Sequence, residues 1–436
     1  MKRELLNYLI DWKKSDSRKP LIIRGARQVG KTSAVRQLGE TFPSFIELNF
    51  EEQSELSSFF SKNLDPKEIL VDLQVFLRKN ITPGETLLFL DEIQVCPRAL
   101  LALRYFYEKM PELHVIAAGS LLEFAIEQVG VPVGRVQFLH AYPMSFKEFL
   151  WALNENFLVD AILNHDPHKS FQSANHEKAL RLFGEYIAIG GMPEAVLNWR
   201  DHKNYLRCQI IHDDLISAYK QDFEKYAKKT QIKYVEHVFK EAALQLGQQF
   251  QFSKIPGDFR KRELSPALTL LEKANIATRV QQVHAQGFPL NAQADPNYFK
   301  IILVDVALTQ TLLGAIPTEW ILDTENAFIN KGAIAESFVA QELLAYHNAR
   351  QDAALYYWRR NQHGSEAEID YLIEQHAKII PIEVKAGKGS TLKSMHLFLN
   401  THPDSPYGIR FSTQNFSVHE KIISYPLYAV MLAAEA

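Results

Sequence analysis

Leu21-Ile22-Ile23, followed after Arg24 by Gly25-Ala26-Arg27-Gln28-Val29-Gly30-Lys31-Thr32, decides how this chain is read. An apolar run in front and the helix-forming stretch Ser33 to Glu40 behind put a G-x-x-x-x-G-K-[ST] loop at a strand-to-helix turn. That is the context in which the pattern cradles phosphates. Gly25 and Gly30 let main-chain N–H groups turn inward, and the helix N-terminus favours negative charge there. Lys31 then reaches the β- and γ-phosphates of a triphosphate, and Thr32 offers its hydroxyl to Mg²⁺. The loop from Gly25 through Ser33 is the expected nucleotide contact, and ATP and Mg²⁺ are the expected cofactors. A plain glycine turn is the competing reading, which the flanking strand and helix disfavour.

A second apolar run, Leu87-Leu88-Phe89-Leu90, ends in Asp91-Glu92, as expected of a strand buried on both faces whose carboxyl end enters a site. Asp91 is expected to support Mg²⁺, and Glu92 to orient or deprotonate the attacking water. A third run, Leu113 to Ala118, ends in Gly119-Ser120, where the hydroxyl would touch the γ-phosphate or the water; a helix N-cap explains a serine there equally well. Gly134-Arg135 precedes a short strand, Val136 to Leu139. Arg135 reads either as a charge-stabilising arginine, in cis or from a neighbouring subunit, or as an ordinary surface cation. The expected catalytic set is Lys31, Asp91, Glu92, Ser120 and Arg135.

Together, Arg24 to Thr32, Leu90-Asp91-Glu92-Ile93-Gln94, Gly119-Ser120, and Gly134-Arg135 with Pro143-Met144-Ser145-Phe146 resemble the bacterial and archaeal AAA-superfamily ATPases that carry a C-terminal domain of unknown function. Gly190-Gly191-Met192-Pro193-Glu194 is similar to that family's Gly-Gly-x-Pro-Glu segment, so the resemblance runs over essentially the whole chain. It implies an ATPase of unassigned purpose. Phe299 to Asp305 resembles the family's Lys-x-x-x-x-Asp strand, but Val306-Ala307-Leu308 replaces the usual small residue and glycine, which weakens a functional role for Asp305.

The chain has 436 residues, enough for two or three domains. Its formal net charge of -3 removes any global basic excess, so contact with nucleic acid would need a local patch. Cys96 and Cys208, the two cysteines, are far apart and lack ligand spacing, which argues against a disulfide framework and a cysteine-based zinc site. With no apolar run long enough to span a bilayer, the expected location is the cytoplasm, with no membrane partner.

Residues 150 to 205 read as helical, with a polar loop at Asn164 to Glu177, and two more helices are expected over Tyr205 to Gln221 and Tyr234 to Leu246. Residues 248 to 283 have the cadence of a winged helix, with Arg260-Lys261-Arg262 just before its second helix. That cation run reads either as a DNA contact or as a solvated turn.

Further on, Glu368 to Ile373 and Ile379 to Lys385 have a hairpin signature. Glu383 and Lys385 share one strand face, and Asp370 reaches that face from the partner strand. The spacing resembles the PD-(D/E)XK nuclease core, in which two carboxylates bind Mg²⁺ and a lysine polarises water. Glu336, on a preceding helix, is a third candidate carboxylate, so Glu336, Asp370 and Glu383 with Lys385 form a candidate second Mg²⁺ site.

The expected architecture is α/β. An AAA-like three-layer P-loop domain spans 1–150, a helical lid 151–204, a helical and winged-helix segment 205–298, and a restriction-endonuclease-like module 299–436. Two purposes fit. ATP turnover either drives conformational work on DNA through the C-terminal module, or switches a scaffold whose C-terminal half binds a protein partner without nuclease activity. A homo-oligomer is expected from the resemblance.

Overall fold

The computed structural model describes residues 1–435 except 131, 133, 227–230, 316, 325–326, 329–330, 363–364 and 386–391. It divides into two compact units. One is Met1–Tyr142 with Lys273–Asn275 and Asn348–Asp352; the other is Pro143–Glu272, Ile276–His347 and Ala353–Ala436. The stretch read from sequence as a lid lies within the second, as do the stretches read as winged helix and C-terminal module apart from Lys273–Asn275 and Asn348–Asp352.

The first unit is built on β1 (Leu21–Arg24), β2 (Ser44–Asn49), β3 (Thr86–Asp91), β4 (His114–Ala118) and β5 (Gln137–His140), all paired in parallel in the order β2-β3-β4-β1-β5. Every residue of β3 and β4 is buried, which accounts for their unbroken apolar runs, while the edge strand β2 alternates. Ile22, Leu48, Leu88, Leu90, Val115 and Ala117 pack with Leu100, Leu103 and Phe106 of the helix Pro97–Lys109. Because β4 lies between β1 and β3, the residues leaving their carboxyl ends, Gly25, Ser120 and Glu92, emerge on one rim of the sheet.

The second unit carries an eight-stranded mixed sheet, defined by β6 (Ala277–Val283), β7 (Ala294–Leu303), β8 (Leu355–Gln362), β9 (Ser365–Gln375), β10 (Lys378–Val384), β11 (Gly408–Ser412), β12 (Ser417–His419) and β13 (Ile422–Pro426). The order is β12-β13-β11-β10-β9-β8-β6-β7. The expected hairpin forms as β9 and β10, closed by His376 and Ala377, both at positive φ as a two-residue turn requires. The strand pair read as a wing is β6 and β7, and β6 also pairs in parallel with β8, so that pair is one edge of the large sheet.

The helix beside it starts at Lys261, so Lys261 and Arg262 lie in its first turn rather than before it. In the polar stretch read as a loop, Ser173 to Glu177 already belong to the helix Ser173–Ile189. Asp305, fully buried, accepts hydrogen bonds from the amides of Ala307 and Leu308 at the start of the helix Val306–Leu312 and from Gly191 N at 2.7 Å. Its role is structural: it ties the Gly190-Gly191 turn to that helix.

Candidate nucleotide site and C-terminal carboxylate cluster

The loop leaves β1 at Gly25, whose φ of 137° no L side chain adopts comfortably, and a Cβ there would lie 2.2 Å from Ala141 O. Gln28 and Gly30 also take positive φ, curling the chain before the helix Lys31–Gly39. That helix begins at Gly30 with no side-chain cap, so its first amides stay directed at the loop interior. Lys31 Nζ lies inside the curl, donating to Gly25 O at 2.9 Å and Ala26 O at 2.7 Å. Burial lowers its pKa to about 8, against the charges of Glu92 and Asp91, which hold the proton on. An anion entering the loop would keep that ammonium charged.

Thr32 Oγ1 donates to Asp91 Oδ2 at 3.0 Å. Asp91 is buried, and its carboxyl is pushed up to about 6, first by burial and then by Glu92's charge, with the Thr32 hydrogen bond opposing. Glu92 sits at φ 50°, receives Gln94 Nε2 on Oε2 at 2.6 Å, and donates its own amide to Asp91 Oδ1 at 3.1 Å. Gln94, quoted in the sequence only as part of the resemblance, is the side chain that holds Glu92 here. Gly119 is small because Gln94 Oε1 occupies the space a Cβ would take, 2.0 Å away.

Ser120 is buried at the tip of β4. The following helix, Leu122–Val129, is preceded by Leu121 as its N-cap, so capping does not explain the serine. Arg135 pairs with Glu108 Oε1 at 2.9 Å, half-exposed, and among the described residues it meets no group of the loop. Arg3, which no motif announced, buries its guanidinium and donates to Val29 O and Tyr142 O, both at 2.8 Å, clamping the loop from behind.

These residues fit a nucleoside triphosphate with Mg²⁺: a glycine cradle that a Cβ would fill, an uncapped helix N-terminus, a buried ammonium, and a hydroxyl and carboxylate already in contact.

In the second unit, Tyr371 on β9 faces Ile382 on β10, so Asp370 and Glu383 are the next opposed pair. Asp370 Oδ2 accepts from Val384 N at 2.7 Å, and Lys385 Nζ pairs with Glu383 Oε1 at 2.7 Å. Lys300 of β7, buried, bridges Glu336 at 2.8 Å and Glu368 at 2.6 Å. Burial raises the pKa values of Asp370, Glu336 and Glu383, opposed by Lys300 for the first two and Lys385 for the third. The sequence reading marked four of these six groups; Lys300 and Glu368 join them only through the fold, from strands that β8 and β6 separate. Among the described residues no group of three His, Cys, Asp or Glu is arranged to hold a metal ion, and the carboxylates are compensated by the two lysines.

Residues 17–150 match the family described as AAA domain, 180–319 a domain of unknown function (DUF8612), and 331–429 another (DUF4143). No curated protein matches the chain. Among solved structures, the Walker-type ATPase PABY2304 of Pyrococcus abyssi is similar over 72% of this chain and 95% of its own, at 17% identity and a TM-score of 0.47. The Drosophila ORC bound to DNA is similar over 71% and 84%, at 16% identity and a TM-score of 0.26. The S. cerevisiae Hsp104-ADP complex is similar over 78% and 43%, at 14% identity and a TM-score of 0.28. Such remote neighbours carry no function to this chain. Among the described residues no helix is long and apolar enough to cross a membrane. The segment 17–150 matches the AAA-domain model, and the phosphate loop and the Asp91-Glu92 strand end both fall within it.

Proposed function

We propose that this chain is a Mg²⁺-dependent ATPase that works in the cytoplasm as a multimer. The observation that carries the reading is the contact of Thr32 Oγ1 with Asp91 Oδ2, which joins the phosphate loop to the neighbouring acidic strand end. Bound Mg²⁺ supplies charge neutralisation at the phosphoryl oxygens; Thr32 and Asp91 are the residues that hold it. Lys31 exchanges its two loop carbonyls for phosphate oxygens. Glu92, held by Gln94, orients the water and takes its proton, and Ser120 lies beside the reacting phosphate. Arg135, once released from Glu108, neutralises charge at the phosphate, in cis or from a neighbouring subunit.

The test is steady-state phosphate release from Lys31→Ala and Glu92→Gln. Both fall to background on this reading, and full activity in both refutes it.

A second reading concerns what turnover serves. The nuclease-like spacing of Asp370, Glu383 and Lys385, with Lys300 beside them, favours a C-terminal module that works on nucleic acid over one that binds only a protein partner. Incubation with linear and circular DNA, Mg²⁺ and ATP, beside Asp370→Ala, separates the two. Cleavage lost in the variant supports the nuclease; neither cleavage nor a DNA shift supports the partner-binding switch.

A further inference from the structure

A cleft of about 640 Å³ opens on the second unit beside the β6, β7 and β8 edge of its sheet. Its lining includes Arg359, Arg360, His284, His402, Gln282 and Tyr298, and no acidic side chain among the described residues. In a chain of net charge -3, this is a local concentration of cationic and amide groups. The sheet is irregular here in two places: the register shifts between Gln281 and Gln282 on β6, and between Tyr356 and Trp358 on β8. Such irregularities re-aim side chains and recur beside functional sites.

The groups are held in place. His402 stacks on Phe398 at 4.0 Å, meets Trp358 edge-on at 5.5 Å, and contacts His284 O at 3.3 Å through Nε2. Gln282 accepts from Tyr357 OH at 3.2 Å. Arg359 is oriented by Gln249 Oε1 at 3.4 Å, Glu366 at 3.5 Å and Glu368 at 3.9 Å. Tyr298, by contrast, is 47% exposed on the rim.

We propose that this cleft binds a single-stranded nucleic acid, with Arg359 and Arg360 on its phosphates, Tyr298 stacking a base, and Gln282 and His284 meeting base edges. Guanidinium groups match phosphate, an exposed ring supplies a stacking platform, and amides supply donors and acceptors for unpaired bases. A duplex keeps its base faces stacked inside and offers none to the ring. The cleft adjoins the carboxylate cluster through one residue, since Glu368 pairs with Arg359 on one side and Lys300 on the other. The proposal rests on the nucleic-acid reading of the C-terminal module and names its strand and contacts.

The experiment is fluorescence anisotropy of the full chain with a labelled single strand of roughly 16 nucleotides, as DNA and as RNA, and with the matching duplex. It is run at low salt in EDTA, so that binding is read without cleavage and without ATP turnover. Single strands of either sugar bind more tightly than duplex. Tyr298→Ala weakens them roughly fivefold or more, as the loss of one stacked base does, and Arg359→Gln weakens them further. Lys31→Ala binds as wild type. Because Arg359 also braces the sheet, Tyr298→Ala is the deciding variant. No single-strand binding, a preference for duplex, or unchanged binding in Tyr298→Ala overturns the proposal. Single-strand binding with no cleavage when Mg²⁺ is restored leaves it standing and refutes only the nuclease.

Discussion

Thr32 and Asp91, 59 residues apart in sequence, meet through a 3.0 Å hydrogen bond from Oγ1 to Oδ2. On the proposed reading this pair would hold Mg²⁺; the Asp91 carboxyl is desolvated and raised to about 6. Asp91→Asn keeps the shape and removes the charge. Its affinity for ATP with Mg²⁺ falls about tenfold or more, as loss of a metal-supporting group does, while binding of ADP without Mg²⁺ changes little. Titration calorimetry with and without Mg²⁺ reads both.

Arg3 clamps the loop through Val29 O and Tyr142 O from a buried position. Charge-assisted bonds of this kind contribute about 1.5–3 kcal/mol each. Arg3→Ala therefore loosens the cradle without touching the reacting groups. The expected result is a KM for ATP raised several-fold with kcat nearly unchanged; a loss confined to kcat would assign Arg3 elsewhere.

Close approach and positive φ together fix Gly25 and Gly190. Alanine at Gly25 drives a Cβ against Ala141 O, and alanine at Gly190, φ +74°, places one 2.3 Å from Asp305 Oδ1. The backbone conformations alone cost about 1–3 kcal/mol each. Gly25→Ala loses nucleotide binding, whereas Gly190→Ala lowers the unfolding midpoint of the second unit. Differential scanning calorimetry with nucleotide titration distinguishes them.

Glu342 is buried and accepts the Phe146 amide at 2.9 and 3.1 Å, and burial, with Glu148's charge adding, pushes its carboxyl up to about 8 from 4.5. The folded protein holds this proton more tightly than the unfolded chain. Its stabilising contribution is therefore complete below about pH 4.5 and lost as pH rises through about 8. Glu342→Gln cannot ionise, so the fall in Tm between about pH 5 and about pH 8.5 is smaller than in wild type. An equal fall in both would remove Glu342 as a cause.

The phosphate loop and the Asp91-Glu92 strand end were readable because their geometry is local: strand, turn and helix are contiguous, and residue type follows from backbone φ and burial. Arg3, Lys300 and Glu368 were not, since nothing near them in sequence announces the carbonyl or carboxylate they meet. The wing-like pair shows the same limit. Its hairpin was visible from composition, but its parallel partner β8 lies far along the chain, with Gln282 bonded to Tyr357 75 residues away. Ser120 was ambiguous in sequence between cap and site, and the helix starting at Leu122 removes the cap.

Single-turnover phosphate release from Glu92→Gln preloaded with ATP and Mg²⁺ tests the ATPase reading most directly. On the proposed reading Glu92, hydrogen-bonded by Gln94, orients water and takes no part in holding the phosphates. The variant should bind ATP as tightly as wild type and release phosphate at least about a hundredfold more slowly, the share expected of general-base catalysis. Release at the wild-type rate with binding intact would contradict it.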